Sequence, residues 1–348
     1  MNKKKIIIIL IVAIILLLTV CFGCIAFFEK EKTGNIQQLD NEVTPEQDEE
    51  VKIVDLDSKT RPYAVMINNL YEARQVQSGL SNAYLVYELL AEGGITRFLA
   101  LFRDVEVERI GSVRSARHYY LDYVLENDAI FVHWGWSPQA QSDIGSLRIQ
   151  NIHGLTYEGV YFYRENPFGI AVEHTGFTNT DLLDKARTNL NYPKDTDDGL
   201  LLDYSAQSID LSAYGDTQDA SSVKVFYSNY NEVEYEYDED NKVYKRFINN
   251  QKHTDHNTGK QLNVKNIIVY DLDYVGIAGD TKGRQELYNI GQGTGYYITE
   301  GKAIKMTWEK AKRSSKTIYR FENGKELIVN DGNTFIQIIP TNGNLEIN

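Results

Sequence analysis

The sequence predicts a mixed fold, α+β or α/β: an N-terminal transmembrane helix, a layered α/β domain, and then a smaller antiparallel β-rich domain. Three observations carry this expectation. Residues 6–28 form an uncharged, almost wholly apolar run. From about residue 61 to 190, short apolar runs alternate with stretches of helical spacing, the pattern of strands and helices in layers. Beyond residue 223 the chain turns to short β-branched and aromatic runs separated by turn residues. The expected boundaries are 1–28 for the anchor, 29–60 for a tether, 61–190 for the α/β domain, 191–222 for a linker and 223–348 for the β-rich domain.

The anchor comes first. Ile6 to Phe28 is a 23-residue run without a charge, preceded by Lys3, Lys4 and Lys5. Roughly 20 apolar residues cross the hydrocarbon core of a bilayer. Flanking lysines keep the N-terminus cytoplasmic, so everything after Phe28 is exported. Both cysteines of the chain, Cys21 and Cys24, lie in this segment. Gly23–Cys24 matches the last step of a lipoprotein cleavage site, whereas Phe22 and Cys21 before it do not. An uncleaved signal anchor and lipidation at Cys24 therefore both stand as readings. Residues 29–60 hold ten acidic and four basic side chains, with Thr44-Pro45-Glu46 among them. This composition cannot build a core and reads as a solvated tether.

The exported body carries −10 of the chain's net −13. Such a field repels phosphate backbones and argues against nucleic acid as a partner. With no cysteine after Cys24, disulfides and Cys-based zinc sites are excluded from the body. Hydrophobic residues at 42% supply enough apolar surface for an ordinary core, and 348 residues leave room for two domains.

In the α/β part, Tyr63–Ile67 is expected as a strand ending in Asn68-Asn69. Ser81–Glu92 is expected as a helix capped by Ser81 and stopped by Gly93-Gly94. Ile95–Phe102 is expected as a strand, and Ser112–Glu126 as an amphipathic helix with Val113, Ala116, Tyr120, Tyr123 and Val124 on one side. Ala129–Trp134 reads as a strand buried on both faces. Ser137-Pro138 supplies an N-cap and an N1 proline for a helix to about Leu147. A strand at Val160–Tyr163 and a helix at Asn179–Leu190 complete the series. After the Asp- and Ser-rich linker come VKVFY, EVEYEY, KVYKRF, VKNIIVY, GYYITE, KAIKMTW, KTIYRF, KELIV and FIQIIP. Most alternate apolar with polar residues, as in an antiparallel sheet with one face in the core. Asn323-Gly324 and Asp331-Gly332 are the clearest hairpin signals.

The stretches RPYAVMINN, QSGLSNAYLVYELLAEGGITRFLALF, IGSVRSARHYYLDYVLENDAIFVHWGWSPQA and EHTGFTNT closely resemble the N-terminal domain of the YerB-like bacterial lipoproteins. YEYDEDNKVYKRF, HTDHNTGKQLNVKNIIV, IGQGTGYYITEGKAIKMTWEK and DGNTFIQIIP resemble that family's C-terminal domain. The resemblance spans nearly all of residues 61–340. It implies a two-domain extracytoplasmic protein of Gram-positive-type bacteria, from a family with no established activity. The anchor departs from the family pattern because its lipidation signal is incomplete.

Within the α/β part, Arg97, Arg103, Arg109, Arg114 and Arg117 crowd into 21 residues of an otherwise acidic protein. Guanidinium groups bind carboxylate or phosphate through paired donors. Arg114 and Arg117, three apart near a predicted helix start, are the leading anion-binding pair. The competing reading pairs these arginines with Glu88, Glu92, Asp122 and Glu126. Asn68, Asn69 and His133 end strands, and ligands of open α/β sheets bind beyond strand carboxyl ends. His133 is thus the candidate general base, and Ser112, Ser137 and His174 are candidate contacts of the same cleft. Capping is the alternative for Ser112, Ser115 and Ser137, since no G-x-S-x-G elbow surrounds any of them.

His133, His153 and His174 lack zinc-motif spacing, so no metal and no cofactor is expected. His253-Thr254-Asp255-His256, followed by Asn257-Thr258-Gly259, reads as a hairpin tip. Gly291-x-Gly293-x-Gly295 precedes strand residues, not a helix, which marks a strand bend. The 24 tyrosines fall largely at alternating strand positions such as Tyr235, Tyr237, Tyr244, Tyr296 and Tyr297. The expected function is a membrane-tethered extracytoplasmic binding or adaptor protein of the bacterial cell envelope, with an anion-binding cleft in the α/β part. The alternative is an envelope hydrolase acting on an anionic glycan, peptide or phosphodiester. The expected partners are the membrane, through residues 6–28, and a cell-envelope protein or cell-wall ligand.

Overall fold

A computed structural model describes residues 50–348. The expected membrane span at 6–28, most of the tether and the lipidation candidate Cys24 lie outside the described residues. No helix among the described residues is long and apolar enough to cross a membrane.

The strands of the first half are β1 (Tyr63–Asn68), β2 (Leu85–Leu90), β3 (Thr96–Phe102), β4 (Ile130–His133) and β5 (Asn151–His153). Those of the second half are β6 (Thr217–Asp219), β7 (Ser222–Ser228), β8 (Asn231–Asp238), β9 (Val243–Ile248), β10 (Asn266–Leu272), β11 (Gly291–Thr299), β12 (Lys302–Lys310), β13 (Ile318–Phe321), β14 (Thr334–Pro340) and β15 (Asn344–Ile347). The helices that matter here are α1 (Leu121–Glu126), α2 (Pro138–Ser146) and α3 (Thr180–Asn189).

One mixed 11-stranded sheet runs β6-β12-β11-β10-β14-β2-β3-β1-β4-β5, with β13 beside β12. Its centre is β14, parallel to β10 on one side and to β2 on the other. A strand from near the C-terminus thus joins the two halves of the chain. The expected linker 191–222 adds β6 to one edge of the same sheet. Residues 50–348 accordingly pack as one compact unit. A 6-stranded antiparallel sheet built on β9-β8-β7-β15 lies over one face.

Alternation along the strands explains the two-faced core. Met66, Tyr87, Leu99 and Phe131 point to the side covered by Tyr120, Tyr123 and Val124 of the α1 region and by Ala140 and Ile144 of α2. Their neighbours Val65, Ile67, Val86, Phe98 and Val132 point to the other side, against Val223, Tyr235 and Tyr244 of the second sheet and Leu183 and Ala186 of α3. A sheet covered on both faces needs nearly continuous apolar strands.

That requirement accounts for the local corrections. Ser81–Glu92 is not a helix: Leu85–Leu90 is strand β2, buried along its whole length. A continuously apolar run carries no period that separates a buried strand from a buried helix. Gly93-Gly94 makes the turn between β2 and β3, both residues at positive φ. The predicted helix Ser112–Glu126 is helical only from His118, as a 3-10 turn leading into α1. The predicted strand at Val160–Tyr163 shrinks to a pair at Tyr163–Arg164. Asp331-Gly332 turns a corner between sheets, because Ile328–Asn330 pairs with Asp203–Ser205 while β14 pairs elsewhere. The capping signals did translate. Ser137 accepts from the Ala140 N–H at the start of α2, and Asn179 from the Leu182 N–H at the start of α3.

Candidate anion-binding site

Strands β1 and β4 run parallel from Tyr63 opposite Ile130 to Val65 opposite Val132. Beyond that point they part, and residues 112–117 enter between them. Asn68 N–H donates to Ser112 C=O, Arg114 N–H to Met66 C=O, and Trp134 N–H to Arg114 C=O, each at 2.9 Å. Ala116 N–H reaches Gly135 C=O and Ser137 N–H reaches Ala116 C=O. Those tertiary backbone bonds hold Val-Arg-Ser-Ala-Arg extended in place of the helix its spacing suggests. Arg114 therefore sits on an inserted extended segment at the carboxyl ends of β1 and β4, and Arg117 ends that segment as the residue before the 3-10 turn leading into α1.

Asn68 organises one side of this edge. Leu70 N–H donates to its Oδ1, which orients the amide, so Nδ2 donates to His174 Nδ1 at 2.8 Å. Ser112 Oγ lies 3.4 Å from the same Nδ2. With Nδ1 accepting, neutral His174 carries its proton on Nε2. Burial, and then the charge of Arg114, lower its pKa. Arg114 donates through Nη1 to the Glu173 carbonyl at 3.0 Å, while its buried Nε has no partner among the described residues.

Arg97, on β3 opposite Asn68, completes the cluster. Arg117 grips Glu92 through Nε and through Nη2 at 2.8 Å, and Arg97 reaches the same carboxylate at 3.3 Å. Arg97 also donates to Ser115 C=O at 2.7 Å. Burial together with the charges of Arg117 and Arg114, against the opposing Glu92, brings the Arg97 guanidinium down to about 10. Two guanidiniums thus share Glu92, and the charge opposite Arg114 is first that of exposed Glu173, so three cations face two carboxylates. The surplus positive charge suits an anion.

The other sequence candidates lie elsewhere. Asn69 turns inward, donating to Thr96 Oγ1 and to Glu88. His133 is fully buried between Phe131 and His153, its Nδ1 2.8 Å from Gly135 C=O and its Nε2 3.1 Å from the Asn151 amide. Burial pushes its pKa down to about 4. A ring with both nitrogens engaged has no site left for a substrate proton. His153 stacks on Trp136 at 3.9 Å and accepts from Gly135 N–H. Ser137 caps α2, and Ser115 donates to Trp134 C=O. Arg103 lies past the far end of β3 beside Asp104, and Arg109 packs over the Phe177 ring at 3.8 Å. Among the described residues, no group of His, Asp or Glu could hold a metal ion.

The polar cluster that sequence reading missed is the buried seam between the halves. Glu88 and Arg246, both fully buried, pair at 2.6 Å. Thr96, Asn69 and Asn231 donate to the other Glu88 oxygen. Arg246 also meets Tyr235 and His253, and His253 meets Gln77. Asp255 accepts from the backbone and side chain of Ser81, and His256 Nδ1 donates to Gln75 C=O. The 253–256 turn is thus a clasp on the first half. One signal was available: Tyr244, Arg246 and Ile248 alternate as inward positions of β9, and an arginine there must find a buried carboxylate.

Comparison with known proteins agrees with this architecture. Residues 49–193 match the N-terminal domain, and residues 223–336 the C-terminal domain, of a protein family of unknown function (DUF3048). The chain belongs to the DUF3048, YerB-like family. YerB of Bacillus subtilis (strain 168), whose name provisionally classes it as a lipoprotein, is 34% identical over 333 residues, covering 93% of this chain and 95% of that protein. The crystal structure of YerB from Bacillus subtilis superposes with a TM-score of 0.70 at 33% identity, covering 82% of this chain and 94% of that one. Both family segments contribute strands to the one central sheet here, so in this DUF3048 protein they are structurally interdependent.

Proposed function

We propose that this DUF3048 protein is a membrane-tethered extracytoplasmic binding protein of the bacterial cell envelope. Its recognition site is the Arg97–Arg114–Arg117 edge, backed by His174 and Asn68. One observation carries the reading: three clustered guanidiniums, two of them sharing Glu92 and the third facing only exposed Glu173, in a body of net charge −10. Such an imbalance is stable when a mobile anion supplies the missing charge. The envelope location is supported by the charge-flanked apolar segment 6–28 and by the lipoprotein name of the Bacillus subtilis relative. The ligand class is a carboxylate- or phosphate-bearing component of the cell wall or an acidic envelope protein. The hydrolase alternative needs His133 as a base, and that ring is enclosed with both nitrogens engaged.

Titration calorimetry of the full-length chain in detergent micelles tests the reading, with inorganic phosphate, glycerol phosphate and soluble peptidoglycan fragments as probes. At least one probe binds, and Arg114→Ala weakens it by about tenfold, the loss of one charge-assisted contact. Equal affinity in Arg114→Ala, or no binding by any probe, overturns the assignment.

A further inference from the structure

At the end of the central sheet opposite the anion site, two buried arginines lie close together and differ in how they are met. β1 begins at Tyr63 opposite Phe102 of β3 and ends at Asn68 opposite Arg97. Extended chain from Arg97 to Arg103 spans roughly 20 Å, so the two arginine sites are separate. Arg61, just before β1, is saturated: Nε donates to Asp128 C=O at 2.9 Å, Nη2 to Asp128 Oδ1 at 3.1 Å, and Nη1 to Gln150 Oε1.

Arg103, just after β3, is not. Its side chain is only 5% exposed, yet Nε has no partner and the guanidinium makes no hydrogen bond among the described residues. Asp104 Oδ2, its ion-pair partner, stands 3.6 Å from Nε, beyond hydrogen-bond reach. The buried Tyr84 hydroxyl feels the charge without bonding to it. Burying a guanidinium is costly unless charge and hydrogen bonds answer it, and orphaned donors of this kind are rare in folded proteins.

The space beside Arg103 suggests what answers it. A cavity of about 350 Å³ is lined there by Arg103, Tyr63, Phe102, Val105, Glu106 and Asp184. Small-molecule sites begin at roughly this size, about 300 Å³. The charges around it come in equal numbers, Arg61, Arg103 and Lys194 against Asp104, Glu106 and Asp184. A phosphate would meet three carboxylates, and a simple cation three cations. A molecule with one charge of each sign avoids both penalties. Thr180 and Asp184, four residues apart, bring one face of α3 to the wall. Asp184 Oδ1 accepts from the Tyr63 hydroxyl at 2.7 Å, and this exposed carboxylate keeps Oδ2 for a second donor. Phe102 and Val105 supply an apolar wall.

We propose that this cavity binds a free α-amino acid, its carboxylate forked onto Arg103, its ammonium held by Asp184 and Glu106, and its side chain against Phe102 and Val105. The site is independent of the Arg97–Arg114–Arg117 edge. Titration calorimetry of the full-length chain in detergent micelles tests it with the L and D forms of alanine, leucine, phenylalanine, glutamate and lysine. At least one binds saturably. The matching N-acetyl amino acid, which lacks the ammonium, and the amino-acid amide, which lacks the carboxylate, each bind about tenfold or more weaker, the loss of one charge-assisted contact. Arg103→Gln weakens binding by at least as much, and Arg114→Ala leaves it unchanged. If Arg103→Gln fails to fold, Asp184→Asn, exposed and still able to accept from Tyr63, serves in its place. Absence of binding at millimolar amino acid, equal binding of either blocked form, full affinity in the Arg103 or Asp184 variant, or loss of binding in Arg114→Ala each overturns the proposal.

Discussion

Two clusters built from the same residue types flank β2 and β3, and they differ in how completely they are satisfied. In the seam, Glu88 and Arg246 are buried and paired one to one, and Thr96, Asn69 and Asn231 donate to the other Glu88 oxygen, although Asn69 Oδ1 itself has no partner among the described residues. At the carboxyl ends of β1 and β4, Arg97 and Arg117 share Glu92, Arg114 faces exposed Glu173, and Arg114 Nε is left without a partner among the described residues. Residue type alone does not separate a structural network from a binding site. Stoichiometry and burial do, because a buried charge without a counter-charge is costly and a half-exposed one can wait for a mobile ion.

The largest expected effect lies in the seam. Arg246→Met leaves Glu88 buried and unpaired, and denaturant unfolding should show a loss of about 3–5 kcal/mol. Adding Glu88→Leu should restore most of that loss, since removing both charges removes the desolvation cost. A single variant that loses under about 1 kcal/mol would break the contrast between the clusters.

Next comes acid sensitivity. His133 is held neutral in the fold, its pKa lowered from 6.5 to about 4 chiefly by burial. The unfolded chain takes up a proton as pH falls below 6.5 and the native ring does not, so stability is full above that point and declines toward pH 4. The ceiling for this residue is about 3 kcal/mol. His253, held well below 6.5 by burial and by the charge of Arg246, acts in the same direction. Unfolding curves at pH 7, 5.5 and 4 should therefore steepen in destabilisation, and His133→Gln should flatten part of that slope. An unchanged slope in the variant would place the acid-sensitive group elsewhere.

The smallest effect sharpens the binding side. Glu92→Gln removes the carboxylate that competes for Arg97 and Arg117, so phosphate affinity should rise about threefold, while stability without the anion falls by about 1–3 kcal/mol because Arg97 is buried. Weaker phosphate binding in this variant would mean that Glu92 positions the arginines in a way the anion needs.

Several elements were legible one by one. Ser137-Pro138 and Asn179 carry their helix starts in local chemistry, and the β-branched runs beyond residue 223 alternate as their strands require. Arg114, Asn68, Ser112 and His174 do meet, although the strand-end argument covered only Asn68 among them and Arg114 and Ser112 were expected on a helix. Asn69 and His133 were misdirected because neighbouring residues on a strand point to opposite faces, and the sequence does not say which face is open. Glu88 and Glu92, both within the predicted helix Ser81–Glu92, belong to different environments: Glu88 lies on β2 in the seam and Glu92 in the turn after it.

By itself the sequence determined the charge-flanked apolar segment, the acidic and cysteine-free body, the capped helices and the family membership. Each of these rests on composition or on residues close together in the chain. Only the tertiary structure decided that β14 would lie between β2 and β10, making one sheet of both halves. It also decided that Val-Arg-Ser-Ala-Arg would be pulled straight between β1 and β4. Local propensity is a matter of tenths of a kcal/mol to about 1 kcal/mol per residue, whereas a lost backbone bond or an exposed apolar face costs as much or more at every position. Pairings between distant segments therefore overrule local preference, and they leave no mark on the spacing of either partner.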